Sequence, residues 1–317
     1  MTKQSGKVGY EVNASYNQDD ELDIRELITS IWAGKLFIFI VTSFFAVASV
    51  IYALNLPNIY KAEAVLIAAE SKESNGLAGL ASQFGGLAGL AGVDIGGGSG
   101  NKTQLALEIL KSRKFISNFI EKHAILPDLM AAKSWDMSSN SISYNEALYL
   151  PLEDKWIREV KAPKRAKPSM QEAYKVFSKI VDTNSEPESS TITLSVEHIS
   201  PVIAQQWVNW LIEDINREVK QREVAEAIKS TQFLTEQLEK TKVSDIRSVL
   251  YNLVEEQTKT IMFANVRDEY VFKTIDPAIV PEEKFKPRRA VICIAGTFLG
   301  VVLSFFFLVL RFFLKQN

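Results

Sequence analysis

Cysteine is nearly absent from this chain of 317 residues, and the one that occurs, Cys293, lies inside an apolar run. The long stretch before that run therefore holds no disulfide, and Cys293 is not placed to act as a thiol in water. Such a lack suits an exported domain that avoids oxidation, without demanding one. Histidine is almost as scarce. His123 and His198 stand apart in the sequence, with no cysteine or paired carboxylate at ligand spacing. Neither metal binding nor acid–base catalysis is expected of them, and no catalytic, cofactor-binding or metal-binding residue is assigned. The expectation is that the chain is not an enzyme. Charge of one sign is not in excess either: 36 Lys and Arg against 38 Asp and Glu leave a net charge of −2, which gives no basic surplus for nucleic acid. Glycine disappears altogether from Asn101 through Ala295, a composition that suits long helices.

Charge is also missing from two apolar runs, Leu36 to Leu54 and Ala290 to Leu310, which contain no Asp, Glu, Lys or Arg. Each is about the roughly 20 residues a helix needs to cross a bilayer. Between them lie about 235 residues, enough for one sizeable core and too polar to be membrane. The chain reads as a domain tethered at both ends, with its two termini on the opposite side from that domain. The first run begins too late and runs too long for a signal peptide, so it is read as an uncleaved anchor. Charge counting leaves the orientation open. Arg25, Lys35, Arg311 and Lys315 flank the spans on the terminal side, against Lys61, Lys284, Lys286, Arg288 and Arg289 on the other.

Residues 1 to 18 are polar and read as disordered. Leu22, Ile24, Leu27, Ile28 and Ile31 then recur at near-helical spacing among Asp20, Asp23, Arg25 and Glu26, which predicts a short amphipathic helix leading into the first span through Trp32 and Lys35. Tyr60 to Ala69 predicts a strand. Ten of the fifteen glycines crowd between Gly76 and Gly100, where Gly-Leu-Ala-Gly-Leu-Ala occurs twice; this predicts a mobile loop whose leucines cover something apolar. Leu105 to His123 predicts one amphipathic helix, and Ser134 to Ser143 a loop. Lys161, Lys164, Arg165 and Lys167 form a basic run broken by Pro163 and Pro168. It reads as a solvated loop, with contact to anionic polymer or lipid headgroups as the alternative. Ser169 with Glu172 is a capping-box pattern opening a helix to about Val181, and Thr191 to Val196 reads as a strand.

Ser200-Pro201 starts a helix that no proline or glycine interrupts before Pro277. Trp207 and Trp210 fall on its apolar stripe and are read as core. The weak stretch Thr241 to Asp245, where Ser244 or Asp245 could cap, predicts a turn and a returning helix, making an up-and-down arm. Glu269 to Ile275 predicts a closing strand before Asp276-Pro277. Gly96 to Thr103 imitates a phosphate-binding loop but has Asn101 where the pattern needs glycine before Lys102, so a flexible loop is the better reading. Gly296 and Gly300 form a GxxxG pattern in the second span and are assigned to close helix packing.

The segment Asp20-Glu21-Leu22-Asp23-Ile24-Arg25-Glu26-Leu27 before the first span resembles that of chain-length determinant proteins, the Wzz-type polysaccharide co-polymerases. So does the run from Tyr270 through Asp276-Pro277-Ala278, Pro281 and Pro287 into the second span, and so does the order of the parts. The family's usual Ser-Pro-Lys near the second span is here Lys286-Pro287-Arg288. The resemblance implies an α+β fold in which two transmembrane helices bracket a periplasmic α/β base with a long helical arm. It implies residues 1–35 cytoplasmic, a first span at 36–56, a periplasmic domain at 57–289 with its arm at about 201–265, a second span at 290–310 and a cytoplasmic tail at 311–317. It further implies a homo-oligomeric ring in the bacterial inner membrane. Such a ring sets the modal chain length of O-antigen or a related surface polysaccharide, working with a Wzy-type polymerase and touching the nascent polysaccharide or its lipid-linked form. The residues assigned to that role are Leu22, Asp23, Arg25, Glu26, Leu27 and Trp32 before the first span, and Asp276, Pro277, Pro281 and Pro287 before the second. The alternative is a membrane adaptor partnering a tyrosine kinase in capsule or exopolysaccharide export. Seven residues after the second span lead to the expectation that no kinase is fused and that no signalling domain makes this a two-span sensor.

Overall fold

The structure is a computed structural model, and it describes residues 32, 34–69, 99–186 and 188–316. The expected disordered tail, the amphipathic helix before the first span and the glycine-rich segment up to residue 98 lie outside the described residues. The described chain divides into two compact units, one holding the two apolar helices and the other spanning Pro57–Pro287.

In the first unit, α1 (Lys35–Asn55) and α8 (Arg289–Gln316) pack side by side. The pair is antiparallel, since the Phe37 and Phe307 rings stack at 5.1 Å near one end while Gly296 faces Ser49 near the other. Both helices are long and apolar enough to cross a membrane. They are not the core of a water-soluble body: Leu36, Phe39, Ile40 and Phe44 are all at least 65% exposed.

The second unit is built on one antiparallel sheet of β1 (Tyr60–Ala68), β6 (Val181–Glu186), β7 (Thr191–His198) and β8 (Phe272–Asp276), in the order β6-β7-β1-β8. Strand β1 (Tyr60–Ala68) pairs along its length with β7 (Thr191–His198), from Tyr60 opposite His198 to Ile67 opposite Thr191. Two-residue periodicity sends Ala62, Ala64 and Leu66 of β1, and Ile192, Leu194 and Val196 of β7, into the core. Helix α6 (Pro201–Lys240) lies on that face, burying Ala204, Trp207, Val208, Leu211 and Ile215. Phe115, Phe119 and Ile120 of α3 (Arg113–Lys122), and Ala173 and Phe177 of α5 (Met170–Ile180), complete the core.

Helix starts follow their local chemistry. The Ser200 hydroxyl accepts the Ile203 N–H with Pro201 in the first turn, and Ser169 and Glu172 form the reciprocal capping box. Forty residues at 1.5 Å each carry α6 about 60 Å. Beyond Val219 only Ala227 and Leu238 of α6 are buried, so its far half leaves the core and pairs with α7 (Ser244–Val266). The chain turns at Thr241–Val243 and comes back, bringing the Arg267 carbonyl to 3.0 Å from the Lys220 ammonium. The predicted up-and-down arm is therefore present. Its second helix starts from Val243 without the side-chain cap expected of Ser244 or Asp245.

Four local expectations are corrected. Leu105 to His123 is two helices, α2 (Ser99–Lys111) and α3, because the Ser112 hydroxyl takes the Phe115 N–H at 3.2 Å and restarts the helix. Helix α2 also contains Lys102 and Thr103, so the end of the expected glycine-rich loop is helical. Ser134 to Ser143 belongs to a hairpin, β2 (Ala132–Asp136) with β3 (Ser141–Tyr144). Asn140 at φ 48° turns it and accepts from the Trp135 indole, while Asp136 gathers Ser138 and Ser139. Val181 opens the unexpected strand β6 (Val181–Glu186) straight out of α5, and the closing strand β8 occupies Phe272–Asp276 rather than Glu269–Ile275. Helix α4 (Leu126–Met130) and the two-residue strands β4 (Tyr149–Leu150) and β5 (Lys155–Trp156) fill the connections.

Candidate functional surfaces

The segment from Asp276 to Pro287 is tied to the sheet unit at several points. Asp276 ends β8, and Ala278 is buried while its carbonyl accepts from Gln205 Nε2 at 2.8 Å. At the far end, the Ile59 carbonyl accepts from the N–H groups of both Phe285 and Lys286, and the Ile59 N–H donates to the Lys286 carbonyl. The Lys286 ammonium reaches both carboxylate oxygens of Glu197, at 2.9 and 2.7 Å. Between these ties Ile279 is 72% exposed, with Val280 also exposed. Prolines at 277, 281 and 287 suit such a segment because they fix φ and donate no N–H. It is a pinned strap presenting a short apolar tip.

The helical arm shows a second apolar surface. Phe233 on α6, and Ile246, Val249, Tyr251, Met262 and Phe263 on α7, are exposed. Exposed apolar area concentrated on one element marks an interaction surface more often than chance.

In the helix pair, a Cβ at Gly300 would stand 2.8 Å from Phe45 Cβ and 3.2 Å from Thr42 Cα, and one at Gly296 would collide with Ser49 Cβ. Both glycines of the GxxxG thus face α1 of the same chain. Ser304 is buried one turn further along α8.

A tight group of ionisable side chains lies around Asp214 on α6. Its carboxylate is nearly buried; Oδ2 lies 2.8 Å from His123 Nε2, and Oδ1 contacts the Lys122 ammonium and, at 3.5 Å, Arg217. The His123 ring stacks on Trp210 at 4.2 Å. His123 was expected to stand alone, and here it is clamped; the partner lies 91 residues away in sequence, beyond the reach of any spacing rule. The group holds the C-terminus of α3 on α6. It offers one carboxylate already surrounded by cations and no nucleophile beside it. Among the described residues no cluster of three or more His, Cys, Asp or Glu is arranged to hold a metal.

His198 is buried at the end of β7. Its Nδ1 accepts the Ser200 N–H at 3.0 Å, and its Nε2 lies 3.2 Å from the Asp128 carbonyl, which assigns the proton to Nε2. Burial pushes its pKa below the ordinary 6.5, against the smaller opposing pull of the Asp128 carbonyl. The unfolded chain, with the ordinary value, binds the proton first as pH falls. Stability contributed by the neutral ring is therefore full above about pH 6.5 and declines as pH drops toward the depressed folded-state value. Thermal unfolding of the detergent-solubilised chain should show a midpoint falling between pH 7 and pH 5, and His198→Asn should flatten that slope.

One polar residue that sequence reasoning passed over organises the junction of arm and sheet. Asn216 Oδ1 accepts three successive backbone N–H groups, from Tyr270, Val271 and Phe272 at 3.1, 2.8 and 2.9 Å, and its Nδ2 donates to the Phe272 carbonyl. The Tyr270 hydroxyl adds a bond to Glu223 on α6. No sequence pattern singles Asn216 out, because Asn209, Glu213, Asp214, Arg217 and Glu218 stand in the same run from Trp207 to Val219. Of the residues assigned before the first span, Leu22, Asp23, Arg25, Glu26 and Leu27 lie outside the described residues. Trp32 is described and exposed.

Residues 20–123 match the family model described as chain length determinant protein, Wzz. The family resemblance is borne out over that span, which contains the segment Asp20 to Leu27; the run from Tyr270 to Pro287 lies outside it. Among solved structures, the chain is similar to a full-length bacterial polysaccharide co-polymerase, with 11% identity, 93% of this chain and 99% of that one covered, and a TM-score of 0.39. It is also similar to a fragment of WzzB, a polysaccharide co-polymerase from Salmonella Typhimurium, with 12% identity, 72% and 100% coverage, and a TM-score of 0.26. Neither likeness is tight enough to carry an argument about function. No curated protein sequence matches the chain.

Proposed function

We propose, from the chain-length-determinant match over residues 20–123, that this chain is a non-enzymatic, homo-oligomeric inner-membrane protein. In this reading it sets the modal length of O-antigen or a related surface polysaccharide made by a Wzy-type polymerase. The family match carries the proposal. The two apolar helices support residence in the membrane; a periplasmic sheet unit with both termini cytoplasmic is proposed from the family match alone. The exposed apolar residues of the arm support self-association, because a second copy of the arm would remove them from water. The strap of Asp276, Pro277, Pro281 and Pro287, with Ile279 exposed on it, is the surface proposed to meet the polymerase. The segment from Leu22 to Trp32 is proposed to brace the first span. Nascent polysaccharide or its lipid-linked form is the cargo whose length is set.

Deleting the gene in its native host and comparing surface polysaccharide by gel tests this reading. Loss of a clustered length distribution, restored by the wild-type gene, is the expected result. An unaltered distribution would instead favour an adaptor for a tyrosine kinase in capsule or exopolysaccharide export.

A further inference from the structure

The basic run between Lys161 and Lys167 is a solvent-exposed loop, as expected, but its backbone is anchored. Arg158 holds it. Its guanidinium makes a fork to Glu172 at 2.8 and 3.0 Å, and the same group donates to the Arg165 carbonyl at 2.9 Å and the Ala166 carbonyl at 2.7 Å. One side chain therefore ties the loop to the first turn of α5, and Pro168 between them is buried. The Arg158 fork holds the Glu172 carboxyl far below the usual carboxylate range, at about 2, so the pair stays internally neutral at any physiological pH.

Fixing the loop has a consequence for charge. Lys164, Arg165 and Lys167 from the loop and Lys175 from α5 all line one open depression of about 690 Å³. Glu172 is the only carboxylate on its wall, and Arg158 already satisfies it. Four basic residues thus line one open depression whose single carboxylate is already paired. Gathering like charges on a braced loop costs repulsion, which an anionic occupant would relieve. Lysine ammoniums and an arginine fork in one concavity suit compact, multiply charged oxyanions. The volume exceeds a phosphate pair and leaves room for whatever that pair is attached to.

We propose that the depression formed by Lys164, Arg165, Lys167 and Lys175 is a binding site for a phosphate- or pyrophosphate-bearing ligand. The site stands independently of the length-control reading, since it lies outside the matched span of residues 20–123. Arg158 and Glu172 are positioning residues that hold the loop; the four cations touch the anion. The ligand could be soluble or could be the headgroup of a membrane lipid, and the chemistry recognised is the same.

The full chain in neutral detergent would be titrated with inorganic pyrophosphate and, separately, with phosphatidylcholine vesicles with and without phosphatidylglycerol. Lys164→Gln/Lys167→Gln is the test variant, and Lys229→Gln/Lys242→Gln on the arm is a control of equal charge. The site predicts saturable binding, weakened at least about tenfold in the test variant, nearly unchanged in the control and reduced by salt. Weakened pyrophosphate binding identifies a soluble source; weakening confined to the anionic vesicles identifies a lipid headgroup. No binding of either probe, or equal weakening in test and control variants, overturns the proposal. Matching unfolding midpoints for the two variants ensure that a loss is not a folding defect.

Discussion

Asn216→Ala is expected to be among the most damaging single substitutions in the sheet unit, lowering its stability by about 3–5 kcal/mol. The side chain is buried, and four hydrogen bonds to three consecutive residues of the returning chain end on it. Alanine leaves three N–H groups and one carbonyl without that partner. Each buried group so stranded costs roughly 1–3 kcal/mol, less what water entering the gap restores. Phe272, fully buried in the core, is anchored by two of these bonds, so the damage passes directly into packing. Hydrogen exchange should show loss of protection concentrated at 267–276, where α7 hands over to β8. Gln206→Ala, on the exposed side of the same helix, should change stability by less than about 0.5 kcal/mol. Denaturant unfolding of the full chain in detergent measures both. A cost for Asn216→Ala as small as that for Gln206→Ala would show that the bonds to Tyr270, Val271 and Phe272 are replaceable.

Gly300→Leu should separate the two apolar helices. A single Cβ there already stands 2.8 Å from Phe45 Cβ and 3.2 Å from the backbone Cα of Thr42, and backbone cannot rotate away as a side-chain tip can. Overpacking of this kind typically costs about 1–3 kcal/mol when the neighbours can shift, and more when they cannot. Gly296→Leu should do the same against Ser49. A Cys pair placed at Ser49 and Gly296 would not report cleanly, because it removes Gly296 itself. Spin labels at Phe39 and Phe306, both exposed, avoid this; their separation should widen in Gly300→Leu and hold in Leu299→Ala, where the wild-type side chain is exposed. An unchanged separation in Gly300→Leu would contradict the close approach.

Much of this architecture was legible in the residues, for reasons that are local. The two charge-free runs, the Ser200-Pro201 start, the Ser169–Glu172 capping box and the alternation in β1 and β7 each act within a few neighbouring residues, so the sequence states them directly. The turn at 241–243 was visible as a weak stretch, yet its cap was misplaced, because Val243 starts α7 through backbone geometry alone. The β2–β3 hairpin was hidden because its turn uses Asn140 at positive φ where glycine would have announced it. The break at Ser112 was hidden because serine also occurs inside helices and only the Phe115 bond shows it capping. The Asp214 clamp on His123 and the Asn216 clasp on Tyr270–Phe272 join residues 91 and about 55 apart, and nothing in a one-dimensional pattern pairs them. Asp214 and Asn216 stand among Asn209, Glu213, Arg217 and Glu218 in the sequence, and only their burial in the fold marks them as polar groups that each need a partner.

The depression around Lys164 shows the same division. Its charge was plain in the sequence, whereas its anchoring by Arg158, whose four donor contacts converge from outside the basic run, was not.

In the proposed function this chain sets how long a polysaccharide grows and does not make it. The most direct measurement is to quantify both total polymer and its length distribution in a deletion strain and in that strain carrying the wild-type gene. Length control predicts that total polymer persists while the clustered modal length disperses, and that the gene restores the cluster. A fall in total polymer with the remaining chains unchanged in length would contradict it.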